Sequence, residues 1–220
     1  MPQRTRPPIN RSRSFHARTG RLSVTKHRAL QEILPVWRFD ADQPLPLAPL
    51  LVEIGIGTGE AALDFAQSHR SWHLLGIEVH RASLAGFLLA LERERPANVV
   101  VADTDAIEVL ELLAPACVTE LRAFFPDPWP KRKQRHRRLI QEPFLQLASR
   151  VLRPGARLLL ATDDDDYAKQ MSVELAASER FSIETTDRAN RPITYYESRA
   201  LAAGRTIFDF CAVRDGVARS

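Results

Sequence analysis

A single carboxylate stands between prolines in residues 124–131, which read Phe-Phe-Pro-Asp-Pro-Trp-Pro-Lys. Proline fixes its own backbone and restricts the residue before it, so the acid, Asp127, is held in a rigid turn. The segment runs directly into cations that end with Arg137 and Arg138. A fixed acid can be directed at a base edge and the cations suit phosphates, so this pairing indicates chemistry on a nucleic-acid base.

A glycine-rich segment earlier in the chain indicates the cofactor. Gly55, Gly57 and Gly59 follow a G-x-G-x-G spacing, which differs from the G-x-G-x-x-G dinucleotide fingerprint. The flanking side chains are Glu53 and Glu60, which would repel a pyrophosphate but suit a cationic ligand. S-adenosylmethionine carries a sulfonium and an amino group and has no phosphate. The segment therefore favours this methyl donor, with NAD as the alternative.

The alternation of apolar and helical patterns from residue 50 onward predicts an α/β fold with a doubly wound, mostly parallel, seven-stranded sheet. Strands are predicted over residues 50–55, 72–79, 98–103, 121–125, 157–162, 181–186 and 206–213, the last as an antiparallel edge. Helices are predicted over residues 25–37, 59–69, 81–95, 106–113, 137–152 and 166–178. Pro35 is expected to end or kink the first helix and Pro143 to kink the fifth.

Acidic residues follow or end the first five predicted strands, so they are expected to lie together at the carboxyl edge of the sheet. Ligands in such folds bind beyond the carboxyl ends of the strands, and the acids of the first five strands are Glu53, Glu78, Asp103, Asp127 and Asp163. Glu78 is placed to accept hydrogen bonds from both ribose hydroxyls of a nucleoside. Asp103 is placed to receive the adenine amino group. A merely structural role for these strand-end acids stays open.

Composition and charge set the class of protein. The chain has 220 residues, 45% of them hydrophobic, which fits one ordinary domain with an extension. Residues 1–49 are predicted to be a basic arm and linker, flexible toward the N-terminus without a partner, and residues 50–220 the catalytic domain. No apolar run suits a membrane span or a signal peptide, which predicts a cytoplasmic protein. Cys117 and Cys211 lack a metal-type spacing and are expected to be core hydrophobes.

The net charge of +4 is unevenly distributed, because the cations are concentrated in two segments. Residues 1–38 carry nine Lys and Arg against one acid, and residues 131–138 carry six and no acid. Cations concentrated in this way are typical of a surface that binds a polyanion, and the alternative is a solvated tail with a solvated helix start.

The segment from Phe125 to Lys131, with the basic run that ends in Arg137-Arg138-Leu139, resembles the signature of bacterial tRNA (guanine-N7)-methyltransferases. The resemblance covers nearly the whole chain: Arg13-Ser14-Phe15, Gly20-Arg21-Leu22, Thr162-Asp163 and the residues 192–197, Pro-Ile-Thr-Tyr-Tyr-Glu, match further stretches. Gln134, Tyr195 and Arg205 differ from the residues usual in that family.

The resemblance implies a Rossmann-like class I methyltransferase that uses S-adenosylmethionine to methylate N7 of guanine 46 in the variable loop of tRNA. It implies that Asp127 is the catalytic residue and also contacts the cofactor, beside Glu53, Gly55, Gly57, Glu78 and Asp103. It implies a substrate site formed by Lys131, Asp163, Thr194, Tyr195, Tyr196 and Glu197. The implied RNA contacts are Lys133, Arg135, His136, Arg137 and Arg138. No metal or membrane is expected, and the protein is expected to be a monomer or homodimer.

Several alternatives stay open at this point. Asp127 could cap a helix that begins near Lys131. Trp129 is expected to pack and fix the turn, with base stacking as the second possibility. Asp164, Asp165 and Asp166 are expected to be helix-start charges. The rival functions are methylation of another RNA base and an inactive homologue that only binds tRNA.

Overall fold

One mostly parallel sheet organises the part of the chain that the structure describes, and in that part it has seven strands in the order β3-β2-β1-β4-β5-β7-β6. The strands are β1 (Leu50–Ile54), β2 (His73–Ile77), β3 (Val99–Ala102), β4 (Val118–Phe124), β5 (Leu152–Thr162), β6 (Phe181–Glu184) and β7 (Phe208–Arg214). Strands β1 to β5 pair in parallel, and β7 is antiparallel to both of its neighbours. This arrangement confirms the predicted doubly wound, Rossmann-like methyltransferase fold.

The computed structural model describes residue 15 and residues 22–43, 45–46, 48–184 and 193–216, without the side chain of Tyr195. The arginines of the predicted basic arm, from Arg4 to Arg21, lie outside the described residues. The α-helices within them are α1 (Val24–Arg28), α2 (Leu34–Trp37), α3 (Glu60–Ser68), α4 (Arg81–Glu94), α5 (Ala106–Leu112), α6 (Glu142–Val151), α7 (Asp165–Ala177) and α8 (Tyr195–Ala202). A π-helix (Ala29–Ile33) joins α1 to α2, and a 3-10 helix (Arg132–Arg137) precedes α6. None of the described helices is long and apolar enough to cross a bilayer.

The central strands are apolar on both sides because helices cover both faces of the sheet. One face packs against α5, α6 and α7, through residues such as Val109 and Leu145. The other face packs against α3, α4 and the π-helix, through residues such as Phe65 and Ala29. Ala29 is fully buried, so the core extends into the segment that was predicted to be arm and linker.

Two prolines have less effect on the helices than predicted. Pro143 lies in the first turn of α6, where the missing N–H would have no helical partner, so it starts this helix and does not kink it. The basic run before it forms the separate 3-10 helix. Pro35 likewise lies in the first turn of α2, which continues to Trp37.

The C-terminal elements also differ from prediction. Strand β7 is antiparallel as expected, but it lies between β5 and β6, so β6 forms the edge of the sheet. The segment from Tyr195 was not among the predicted helices, and it forms α8. Thr194 caps this helix, because its hydroxyl oxygen accepts a hydrogen bond from the Glu197 amide at 3.3 Å.

Candidate active site

A cleft opens at the carboxyl ends of β1, β2 and β4, where the order of the sheet reverses between β1 and β4. This is the position where doubly wound sheets bind ligands. It brings together Gly55, Gly57, Glu78, Asp127 and Tyr196, all of which were predicted as site residues. The remaining lining is mostly apolar and consists of Phe15, Ile54, Ile77, Val79, His80, Ser83, Ala106, Phe124, Phe125, Pro126 and Leu139.

The glycine loop turns the chain sharply from β1 into α3. Gly55, Gly57 and Gly59 have φ angles of 75°, 60° and 83°, which residues with a Cβ rarely adopt. A Cβ at Gly59 would also stand 1.9 Å from Cδ2 of Phe87 in α4. The loop therefore needs glycine both for its backbone conformation and, at Gly59, for the close packing of two helices.

Glu78 holds the glycine loop from the neighbouring strand. One carboxylate oxygen accepts a hydrogen bond from the Gly57 amide at 2.8 Å, and the other accepts one from the His80 amide at 2.7 Å. Burial raises the pKa of Glu78, an effect that these amides oppose and the negative charge of Asp127 reinforces. The cleft therefore contains a buried acid with both oxygens fixed in direction.

Asp127 lies in a turn with unusual backbone at both ends. Phe125 has φ of 53° and Trp129 has φ of 43°, although neither is glycine. Such conformations cost about 1–3 kcal/mol each and persist only where the surroundings impose them. The Phe125 amide donates to the carbonyl oxygen of Ala161 on β5 at 2.8 Å, which anchors the start of the turn. The 3-10 helix that follows has Lys131 at its N-cap position, so Asp127 does not cap it.

Trp129 is 1% exposed, which confirms packing and excludes base stacking in this conformation. The guanidinium carbon of Arg137 lies 3.9 Å from the centre of its ring. The contact between the Trp129 indole and the Arg137 guanidinium thus stabilises the C-terminal end of the turn.

Two predicted cofactor residues, Glu53 and Asp103, are not among the residues that line the cleft. Glu53 is 4% exposed and lies 3.9 Å from Arg122, which also forms a 2.6 Å ion pair with Glu120. Asp103 forms a 2.9 Å ion pair with Arg38 at the end of α2. Sequence reasoning missed Arg38, because its partner is distant in the chain and no local pattern marks the pair.

The predicted substrate residues divide into two groups. Tyr196 lines the cleft, and its ring edge would lie 3.7 Å from a Cβ at Gly57. Glu197 is 1% exposed and Thr194 caps α8, so both support the helix that carries Tyr196. Asp163, at the end of β5, forms a 3.1 Å ion pair with Arg205.

The other acids near Asp163 have the helix-start roles predicted for them. Asp164 caps α7, because its carboxylate accepts a hydrogen bond from the Tyr167 amide at 2.8 Å. Asp165 and Asp166 lie in the first turn of that helix. Among the residues that the structure describes, no three His, Cys, Asp or Glu side chains are placed to hold a metal ion.

The basic segment offers a surface of cations beside the turn. Lys131, Arg132, Lys133, Arg135 and His136 are exposed. Arg138 is not, because it is 2% exposed and makes its contacts inside the protein. The structure therefore does not place Arg138 on the surface where contact with RNA phosphates was predicted.

Phe15 is a lining residue that was not among the predicted site residues. Its place in the Arg-Ser-Phe motif of the N-terminal segment was the available signal. The Arg13 and Ser14 of that motif, and Pro192 of the C-terminal motif, lie outside the described residues.

The chain matches one protein family over most of its length. Residues 47–210 match the family described as "Putative methyltransferase". The tRNA (guanine-N(7)-)-methyltransferase of Acidithiobacillus ferrooxidans is 37% identical over 210 residues, which cover 90% of this chain and 92% of that protein. The enzyme of the same name from Thiobacillus denitrificans is 38% identical over 216 residues, with coverage of 90% and 93%.

Solved structures share the fold at low identity. An S-adenosylmethionine-dependent O-methyltransferase of Thermotoga maritima superposes with a TM-score of 0.55 at 14% identity, over 89% of this chain and 66% of that one. The antibiotic-resistance methyltransferase Kmr superposes with a TM-score of 0.54 at 20% identity, over 78% and 89%. These likenesses concern the fold, whereas the relatives match in sequence along nearly their whole length. The chain belongs to the tRNA (guanine-N(7)-)-methyltransferase family.

Proposed function

We propose that this protein transfers the methyl group of S-adenosylmethionine to N7 of a guanine in tRNA, at position 46 of the variable loop. The observation that carries the proposal is that Asp127 shares one cleft with Gly55, Gly57 and Glu78. A cofactor-type loop and an acid on a rigid turn thereby face the same space. The relatives named above, which match along nearly the whole chain, support the same reaction.

The residues of the cleft fit this cofactor better than a nucleotide with a pyrophosphate. Among the described residues that line it, Glu78 and Asp127 are acidic and none is Lys or Arg. A Cβ built at Gly55 would have no neighbour within 4 Å, so the backbone there is open to a ligand. When bound, the cofactor supplies a methyl group activated by a positively charged sulfur, and two carboxylates suit that charge.

Glu78 is the residue that would hold the ribose. An ionised carboxylate offers about four lone-pair sites, and the amides of Gly57 and His80 occupy two of them. The remaining two can accept the pair of ribose hydroxyls. Asp103, which is paired with Arg38, would accept a hydrogen bond from the adenine amino group at the edge of the cleft. Glu53, at the end of β1 before the glycine loop, would contribute negative charge near the positively charged cofactor.

Guanine N7 has a free lone pair, so it can attack a methyl group without first losing a proton. No strong base is required, and catalysis can rest on positioning and on stabilising the cation that forms on the purine ring. Asp127 would accept hydrogen bonds from guanine N1–H and N2–H₂ and offset the new positive charge. Tyr196 would contact the base across the cleft. The other residues of the substrate site would be Asp163, Thr194, Tyr195 and Glu197, together with Lys131, which follows the Asp127 turn.

The exposed cations of residues 131–136, together with Arg137, would hold the RNA backbone. Phosphate contacts of this kind position an RNA without reading its sequence, so selection of one guanine would depend on the shape of the tRNA and on an extruded base. In this proposal the protein acts in the cytoplasm as a monomer or homodimer.

The test is to incubate the protein with a donor labelled in its methyl group and with unmodified tRNA. Transfer followed by chain scission at the alkali-labile 7-methylguanosine, mapped to position 46, is the expected result. A different methylated nucleoside would overturn the N7 assignment. The Asp127→Asn variant should bind donor and tRNA but transfer slowly, and transfer at the normal rate would refute its catalytic role.

A further inference from the structure

Arg138 is buried within a set of specific contacts. Its Nε donates to the carbonyl oxygen of Pro128 at 2.8 Å, its Nη1 to Oε1 of Gln170 at 2.7 Å and its Nη2 to Oδ2 of Asp166 at 2.6 Å. The guanidinium carbon also lies 4.8 Å from the centre of the Tyr167 ring. The guanidinium thus donates from three different nitrogens to three acceptors and lies over an aromatic ring, an arrangement that lysine cannot reproduce.

The first of these acceptors belongs to the turn that carries Asp127. Positions 126, 128 and 130 of this turn are prolines, which have no N–H with which to stabilise it from within. The turn nevertheless has left-handed backbone at Phe125 and Trp129. The hydrogen bond from Arg138 to the Pro128 carbonyl therefore adds a restraint from outside the turn.

The other two acceptors belong to α7. Asp166 and Gln170 are four residues apart and face the same side of that helix. The helix begins just after β5 and Asp163, an acid that the proposed function assigns to the substrate site. A second link lies beside the first, because the Ile140 amide donates to the Tyr167 hydroxyl at 3.0 Å. The turn with Asp127 and the start of α7 are thus held as one unit through Arg138.

We infer that Arg138 is a positioning residue that fixes Asp127 relative to the substrate side of the cleft, and that it is not an RNA ligand. This inference rests on the proposed function, because it assigns Arg138 a part in the same reaction. It separates the roles of two cations in one basic segment: buried Arg138 restrains the turn, whereas exposed Lys133 remains available to phosphates.

The test compares Arg138→Lys with Lys133→Gln as the reference for a phosphate contact. Arg138→Lys keeps the charge but loses the planar set of donors, so kcat should fall about 10- to 100-fold, the usual effect of a displaced catalytic group. Its Kd for tRNA, and the slope of that Kd with salt, should stay close to those of the wild type. Lys133→Gln should instead weaken binding and reduce the salt slope by about 0.7 to 0.9. Because lysine keeps the charge, the salt slope is also measured for Arg138→Gln, which removes it. A slope reduced as much as in Lys133→Gln, together with normal kcat for Arg138→Lys, would make Arg138 a phosphate ligand and overturn the inference.

A second measurement does not depend on the reaction. Trp129 is 1% exposed at the end of the restrained turn, and Trp37 and Trp72 can be replaced by Phe so that it is the only indole. In that background, Arg138→Lys should make Trp129 accessible to acrylamide quenching. The Asp166→Asn and Gln170→Leu changes are milder, because each removes one acceptor of Arg138, and they should give smaller increases in quenching. They serve as the test if Arg138→Lys folds poorly. Unchanged quenching in all three variants would refute the restraint.

The two proposals fail differently. If the wild-type protein transfers no methyl group to tRNA, the proposed function is wrong, while quenching still tests the restraint. If the wild type is active and Arg138→Lys has normal kcat and normal quenching, only the role of Arg138 is refuted.

Discussion

Glu78 and Gly57 are joined by a 2.8 Å hydrogen bond from the glycine amide to the carboxylate. This contact links the end of β2 to the loop that follows β1, so it joins the two elements that form the cofactor side of the cleft. The acid is 7% exposed, and its other oxygen is held by the His80 amide. Cofactor binding would therefore use an acceptor that is already oriented.

Replacement of Glu78 by glutamine should weaken the cofactor site strongly. The amide oxygen can still accept from Gly57, but the NH₂ group would face the His80 amide as a second donor, and hydrogen bonds to a charged group would be lost. Each such bond contributes about 1.5–3 kcal/mol, so the Kd for S-adenosylmethionine should rise at least about tenfold. Calorimetry measures this change. Glu92→Gln, at an exposed position of α4, is the matched control, and equal Kd values for the two variants would contradict the assignment.

The pKa of Glu78 also predicts how binding and stability depend on pH. Burial raises this pKa above the ordinary value of 4.5, so the carboxyl takes up a proton at a higher pH than an exposed glutamate does. As pH falls through the raised pKa, the ribose acceptor is lost and the Kd for the cofactor should increase.

Stability should change in the opposite direction. Because the folded-state pKa is higher than the unfolded one, this group favours the folded state most below the unfolded pKa, and that contribution disappears as pH rises through the folded pKa. Glu78→Gln should remove both dependences. Calorimetric titrations and urea unfolding of the two proteins across the acidic range measure them, and parallel profiles would exclude Glu78 as their source.

A methyl group at Gly59 should destabilise the fold more than one at Gly155. Both glycines have left-handed backbone, with φ of 83° and 76°, so alanine is strained by about 1–2 kcal/mol at either position. Only at Gly59 would the new Cβ also meet Phe87, at 1.9 Å, and overpacking typically adds about 1–3 kcal/mol. Urea unfolding should therefore give a lower free energy of unfolding for Gly59→Ala. Equal losses in the two variants would show that α3 and α4 separate easily.

The parts of the site that could be predicted from the sequence are those fixed by prolines and glycines. Prolines and glycines restrict the chain at their own positions, so the Asp127 turn and the glycine loop were evident from a few consecutive residues. The contacts of Arg138 with α7 and the pair of Arg38 with Asp103 were not, because each joins residues at least 28 positions apart. A run of cations also predicts solvent exposure, and nothing in that run distinguishes the one arginine that is buried.

The exposed cations of the basic segment should account for the salt dependence of tRNA binding. Arg132 and Lys133 point away from the core, and each phosphate contact that is lost should reduce the slope of log K against log salt by about 0.7 to 0.9. The Arg132→Gln/Lys133→Gln double variant should thus lose up to about 2 in slope. Arg70→Gln is the control, because Arg70 is exposed just before the start of β2, whereas the Asp127 turn follows the carboxyl end of β4, at the opposite end of the parallel strands. Filter binding of unmodified tRNA at several salt concentrations measures the slopes. If Arg70→Gln lowers the slope as much as the double variant does, the RNA does not bind on the side of the Asp127 turn.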